Sequence, residues 1–162
     1  MARQTARKAL DICEAALGAE HPAALAHGAA LAGVLLDLGR FEEAEELLQR
    51  TLAFFQNRNG RLHSPVAVTL AGLPGVAHAR GDLAEAERRW TEALDIKTKV
   101  LGVEHPDLAI TLNNLGVVRY DLGRRDDAAA AWRQSLTLLH DVTPDQPARR
   151  AAEANLARLD EP

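Results

Sequence analysis

Large aromatic side chains, cysteine and surplus positive charge are what this sequence has least of. Phe, Trp and Tyr together make up 4% of the chain, so a core has to be closed mainly by small and aliphatic residues, which suits closely packed helices. Cys13 is the only cysteine. An internal disulfide and a thiolate metal cluster are thereby excluded, and a reducing, cytoplasmic compartment is expected. The formal net charge of −4 and a pI near 5.9 leave no dense basic stripe for a phosphate backbone, so nucleic acid is not an expected partner. The most apolar run, Ala23 to Leu36, is too short for a bilayer span and contains His27, so no membrane partner is expected either. The N-terminus scatters charges among its apolar residues, unlike a signal peptide. Phosphate-binding loops, a dinucleotide fingerprint, a nucleophile elbow and an H-E-x-x-H pair are all missing. No enzymatic activity, cofactor or metal is expected.

What is present is a period. In a chain of 162 residues, Gly18, Gly60 and Gly102 are 42 residues apart, and so are His21, His63 and His105. The same spacing relates Leu31, Leu73 and Leu115; Gly39, Gly81 and Gly123; and Ala44, Ala86 and Ala128. Leu10, Leu52, Leu94 and Leu136 carry it into a fourth copy. Small, apolar and glycine positions in one register define an array of a single supersecondary unit rather than one fold with a scattered site.

Each unit reads as two helices. In the third copy a first helix runs from Pro106 to Leu122 and a second from Arg125 to about His140, by apolar periodicity. Gly39, Gly81 and Gly123 fall between the two, where the chain needs a residue that tolerates positive φ. The Glu-His-Pro-Asp cluster at 104–107 invites a metal or acid/base assignment. Its equivalents fall in separate repeats, however, and proline is favoured at a first helical position because its missing N–H has no partner there anyway. His105 is therefore expected at a helix start. Trp90 and Trp132 share one repeat position and are expected in the core, as is Cys13, which aligns with Phe55 and Leu139.

The segment Leu101 to Leu136 resembles a tetratricopeptide repeat of the 42-residue kind found in kinesin light chains and in many bacterial signalling proteins. The usual repeat of 34 residues carries a Leu-Gly pair in its first helix and an Ala-x3-aromatic pair in its second. Leu115 and Gly116, then Ala128 and Trp132, match them here; Ala86 and Trp90 match in the second copy, and Ala44 and Leu48 more weakly in the first. The resemblance implies an all-α protein, an α-α superhelix of antiparallel helix pairs. It divides the chain as one array: 1–17 the second helix of an incomplete unit, then full units at 18–59, 60–101 and 102–143, and a capping helix within 144–162.

Such arrays are scaffolds whose first helices line a concave groove, so the resemblance implies a non-catalytic protein–protein interaction module with a protein or peptide partner. Carried over position by position, the groove would be lined by Ala26, Ala29, Ala30, Gly33 and Leu36; by Val68, Ala71, Gly72, Gly75 and His78; and by Ile110, Asn113, Asn114, Val117 and Tyr120. The expected contact residues are His78, Asn113, Asn114, Val117, Tyr120, Val68, Gly75 and Ile110, with Tyr120 as aromatic anchor. A lining this small suits an amphipathic helix or extended apolar segment. Two alternatives stay open: a regulatory or oligomerisation segment of a larger bacterial signalling protein, and self-association. Pro74 stands where the third copy has Gly116, and a proline inside a helix costs roughly 3 kcal/mol by crowding the carbonyl of Leu70, so a kink or break is expected there.

Overall fold

The structure, a computed structural model, describes residues 2–59, 72–141 and 146–159. Among these, all regular structure is helical: α1 (Ala2–Leu17), α2 (Pro22–Asp37), α3 (Phe41–Asn59), α4 (Gly72–Ala79), α5 (Leu83–Leu101), α6 (Leu108–Asp121), α7 (Arg125–Leu138) and α8 (Pro147–Ala157). They fall into two compact units, Met1–Asp82 and Leu83–Pro162. In the first, α2 packs between α1 and α3, and α4 lies against both α2 and α3; in the second, α6 packs between α5 and α7, and α8 lies against both α6 and α7.

The glycine register explains where helices stop. Gly39, Gly81 and Gly123 have φ of 70°, 81° and 78°, and Gly18 and Gly102, which end α1 and α5, have φ of 92° and 94°. Positive φ turns the chain out of the helix at no steric cost to a residue without a Cβ. After each first helix the same closure recurs. The N–H of Arg40, Asp82 and Arg124 donates to the carbonyl five residues back, on Leu35, Ala77 and Arg119, at 2.8, 2.9 and 2.9 Å. A carbonyl in each last turn thus finds a partner.

At the helix starts the histidines act as caps. His21 precedes Pro22, and its Nδ1 accepts the N–H of Ala23 at 3.2 Å. His105 does the same for the N–H of Asp107, also at 3.2 Å. Ala23 lies in the first turn of α2 and Asp107 immediately precedes α6, and neither N–H has a helical carbonyl of its own to bond. In the third copy α6 begins at Leu108 rather than Pro106, because Leu108 and Ala109 donate to His105 and Pro106 in tight three-residue turns.

Small polar residues fix each second helix to the first. Thr51 on α3 donates to the carbonyl of Leu25 on α2 at 3.4 Å, and also to Leu47 in its own helix at 2.8 Å. Ser135, at the equivalent place on α7, donates to the carbonyl of Ala109 on α6 at 2.8 Å. Both hydroxyls are buried, and each partner satisfies an oxygen or donor that would otherwise be costly to bury.

Trp132 is fully buried and its Nε1–H donates to the carbonyl of Asn113 at 3.0 Å; Trp90 and Cys13 are buried and half-buried. The closest approach is at Gly116, where a Cβ would come within 2.4 Å of the Trp132 ring. Pro74 is the third residue of α4 as described, within its first turn. The break expected on its N-terminal side lies outside the described residues.

Candidate functional site

The first helices present one side to solvent. On α2, Ala26, Ala30 and Gly33 are exposed while Ala29 and Leu36 are half-buried, and space is open where a side chain on Gly33 would go. On α4, Gly75 and His78 are half-buried. On α6, Ile110 is 54% exposed, with Asn113, Asn114, Val117 and Tyr120 half-buried beside it. Gly75 and His78 belong to the first compact unit and the other five to the second. Val68 lies outside the described residues.

Asn113, Asn114 and Tyr120 are among those that already have partners. Asn113 accepts from the side-chain amide of Asn155 on α8 at 2.9 Å, and its own amide donates to Asn114 at 3.4 Å. The Tyr120 ring packs on Trp132, with centroids 5.9 Å apart, and the guanidinium of Arg158 stacks over it at 4.7 Å. Arg125 stands 5.7 Å from the same ring. Asn113 and Tyr120, two turns apart, thus meet α8 along one seam, and Ile110 and Val117 remain at its open side. Asn155 stands one 42-residue period after Asn113, so the repeat spacing reaches α8 at that position, whereas Arg158 has a glycine, Gly116, as its counterpart.

The second helices carry charge pairs that tie one repeat to the next. Glu45 on α3 holds Arg80, just beyond α4, at 2.7 Å. Glu87 on α5, its equivalent one period later, binds Arg119 at 3.2 Å and also Arg124. Burial pushes the Glu87 carboxyl up, but the two arginines outweigh it and hold the group below its ordinary value. Glu85, gripped by Arg88 and Arg89 on its own helix, is lowered to about 2. Among the described residues no group of three or more His, Cys, Asp or Glu is placed to hold a metal ion.

Lys97 departs from the repeat. Its equivalents are Cys13, Phe55 and the buried Leu139, yet here an ammonium enters the α5–α6 seam and donates to Thr111 Oγ1 at 3.1 Å. Desolvation lowers its pKa, and the charge of Asp107 only partly opposes this. The protonated form is therefore disfavoured by folding. That penalty is complete below the folded pKa and disappears as pH rises past the unfolded value of 10.5, so stability rises across that window. Lys97→Met should raise stability by about 1 kcal/mol at neutral pH, and urea titrations repeated toward pH 10.5 should show the gap closing. A constant gap would mean that the lysine carries no such penalty.

A family model for the tetratricopeptide repeat matches residues 1–57, 23–89 and 65–141. The chain belongs to the tetratricopeptide repeat family. Among solved structures, this array is similar to the nearly identical repeats of a putative kinesin light chain from Podosopora anserina, at 25% identity and a TM-score of 0.75, over 97% of this chain and 74% of that one. It is similar to BtubC from P. vanneervenii, again at 25% and 0.75, over 90% of this chain and 58% of that one. PcrH, solved with the chaperone binding region of PopB, shares the fold at 18% identity and a TM-score of 0.57, covering 86% of this chain and 94% of PcrH. No curated protein sequence matches the chain. The array is the all-α solenoid type implied by its repeats, and none of its described helices is long and apolar enough to cross a membrane.

Proposed function

We propose that the array holds a protein partner, as a helix or extended segment, against the solvent side of its first helices, and that it performs no chemistry of its own. The observation that carries this is the state of Ile110. A large aliphatic side chain is more than half exposed on α6 while the helix is otherwise closed against α5, α7 and α8. The matching stretch of α2 is a shallow strip of Ala26, Ala30 and Gly33. Small residues let a partner backbone come close, and apolar side chains fill the spaces between them. PcrH, which shares the fold, was solved with a segment of PopB, in keeping with a scaffold role. In the second unit Val117 and Asn114 would flank a segment bound on α6, and in the first unit Gly75 and His78 are the contacts proposed on α4.

Gly33→Leu and Ile110→Glu test this. The first puts a bulky side chain into open space and replaces a helical glycine, so stability should stay level or rise by about 1 kcal/mol. Peptides selected by display on the parent protein should nevertheless bind both variants at least about tenfold more weakly, a loss of about 1.4 kcal/mol. Equal binding by parent and variants would remove the groove from consideration. Self-association is the second mode, favoured by Ile12, 69% exposed on α1 with Leu17 nearby. Light scattering on the same samples measures it, and an unchanged monomer mass across the concentration range would dismiss it.

A further inference from the structure

Lysine is rare in this chain: Lys8, Lys97 and Lys99 are the only three, and their surroundings differ. Lys8 is exposed on α1. Lys99 is exposed on α5 with its Nζ 2.6 Å from Asp95 Oδ2, so its nitrogen can attack nothing without first giving up an ion pair. Lys97, two residues earlier, is half-buried and reaches into the α5–α6 seam, at a register position that is apolar in the other copies. An ammonium carries three N–H donors. Among the described residues Lys97 has one acceptor, Thr111 Oγ1 at 3.1 Å, and no carboxylate within ion-pair distance. Thr111 is 0% exposed, and Ala93 and Leu108, each one turn back on its own helix, are buried. Such a seam accommodates a neutral amine, with two N–H donors and a lone pair, better than an ammonium. Desolvation lowers the pKa of Lys97 and the charge of Asp107 only partly opposes it, in the same sense as the geometry.

We propose that Lys97 is an acylation site, its amine held against Thr111 as the nucleophile for a small acyl thioester. The nitrogen attacks the thioester carbonyl; a C–N bond forms, the C–S bond breaks, and the proton lost by nitrogen ends on the departing sulfur. The chain is modified once and catalyses nothing. Removing an amine from water is one of the ways a lysine becomes a nucleophile. Near pH 7.4 an ordinary lysine is neutral in about one molecule in a thousand, and each unit by which its pKa falls raises that share about tenfold. Thr111 Oγ1 can accept an N–H from the amine and equally from the amide that replaces it, so the product keeps the bond. The nature of the product also decides between electrophiles. Carbon dioxide would leave a carbamate anion in the field of Asp107, whereas an acyl group leaves no charge at all. Acylation should therefore lift the desolvation cost, as Lys97→Met is expected to, and tighten the α5–α6 seam.

The three lysines compete within one molecule, which supplies the test. The whole chain is exposed near neutral pH to N,S-diacetylcysteamine, a small uncharged thioester, and acetylation at each lysine is followed in time by mass spectrometry. In the folded chain Lys97 should be acetylated severalfold faster than Lys8 and Lys99. In concentrated urea, where the seam is gone, the three should react alike. The chain acetylated at Lys97 should then unfold at a higher urea concentration than the unmodified chain, measured by circular dichroism. Reaction of Lys97 no faster than Lys8 and Lys99 in the folded chain overturns the proposal. So does a lead that persists in urea, since it would belong to the neighbouring sequence and not to the seam, and so does an acetylated chain that unfolds more easily, since the seam would then have no room for the product.

Discussion

Trp132→Ala is expected to lower the stability of the array by about 4 kcal/mol, the range for deleting a fully buried tryptophan. Three separate losses converge on that side chain. The indole is 0% exposed, so its removal opens a cavity that the short side chains of Ala128, Ala129 and Ala131 cannot refill. Its Nε1–H bond to the Asn113 carbonyl disappears, and the Tyr120 ring loses the surface it rests on. Because that ring also carries Arg158, the damage should extend to α8. Urea unfolding followed by circular dichroism measures the total, and native-state hydrogen exchange should show α6, α7 and α8 losing protection. A loss below about 1 kcal/mol would mean that the site collapses around the cavity more easily than so rigid a surrounding allows.

The same residue shows what the sequence could reveal. Trp132 is legible as core because Trp90 and Leu48 occupy its register, and the positive-φ glycines are legible because they recur at one spacing. Features that every repeat must have leave a periodic signal. Features that join one repeat to its neighbour do not. Glu45 and Glu87 are in register, but their arginines, Arg80 on one side and Arg119 and Arg124 on the other, are not. A long flexible side chain can reach the same carboxylate from several positions, so the charge pairs become visible only in three dimensions. The candidate groove is legible in the same partial way. Ala26, Ala30, Gly33 and Ile110, carried over from the family resemblance, are exposed on α2 and α6. The partner of Asn113 is Asn155 on α8, one 42-residue period further on, whereas Arg158, the residue after α8 that stacks on Tyr120, stands at the repeat position of Gly116 and has no counterpart. Tyr120 thereby acquires a packing duty in addition to any role as an anchor, and Tyr120→Ala would confuse the two. Ile110 and Gly33 are cleaner probes of binding.

Gly116→Ala should destabilise the array by about 2 kcal/mol, although alanine is the better helix former by about 1 kcal/mol. The added methyl would stand 2.4 Å from Trp132 Nε1 and 2.6 Å from Cδ1. The ring cannot yield, since it is sealed on all sides and tied to Asn113 through that same nitrogen. Gly28 provides the contrast in the first unit. A Cβ there would meet nothing nearer than Leu47 at 3.7 Å, so Gly28→Ala should be neutral or stabilising. The first repeat also displays the compensated combination, Ala32 and Leu48, at the positions of Gly116 and Trp132, with both side chains buried in one core. Trading the glycine and the tryptophan together for alanine and leucine conserves volume better than either change alone. Measured as a double-mutant cycle, Gly116→Ala should be costly beside tryptophan and harmless or favourable beside leucine, a coupling of at least about 1 kcal/mol. Additive costs would show that the glycine is needed for its backbone rather than for the room it leaves to the indole.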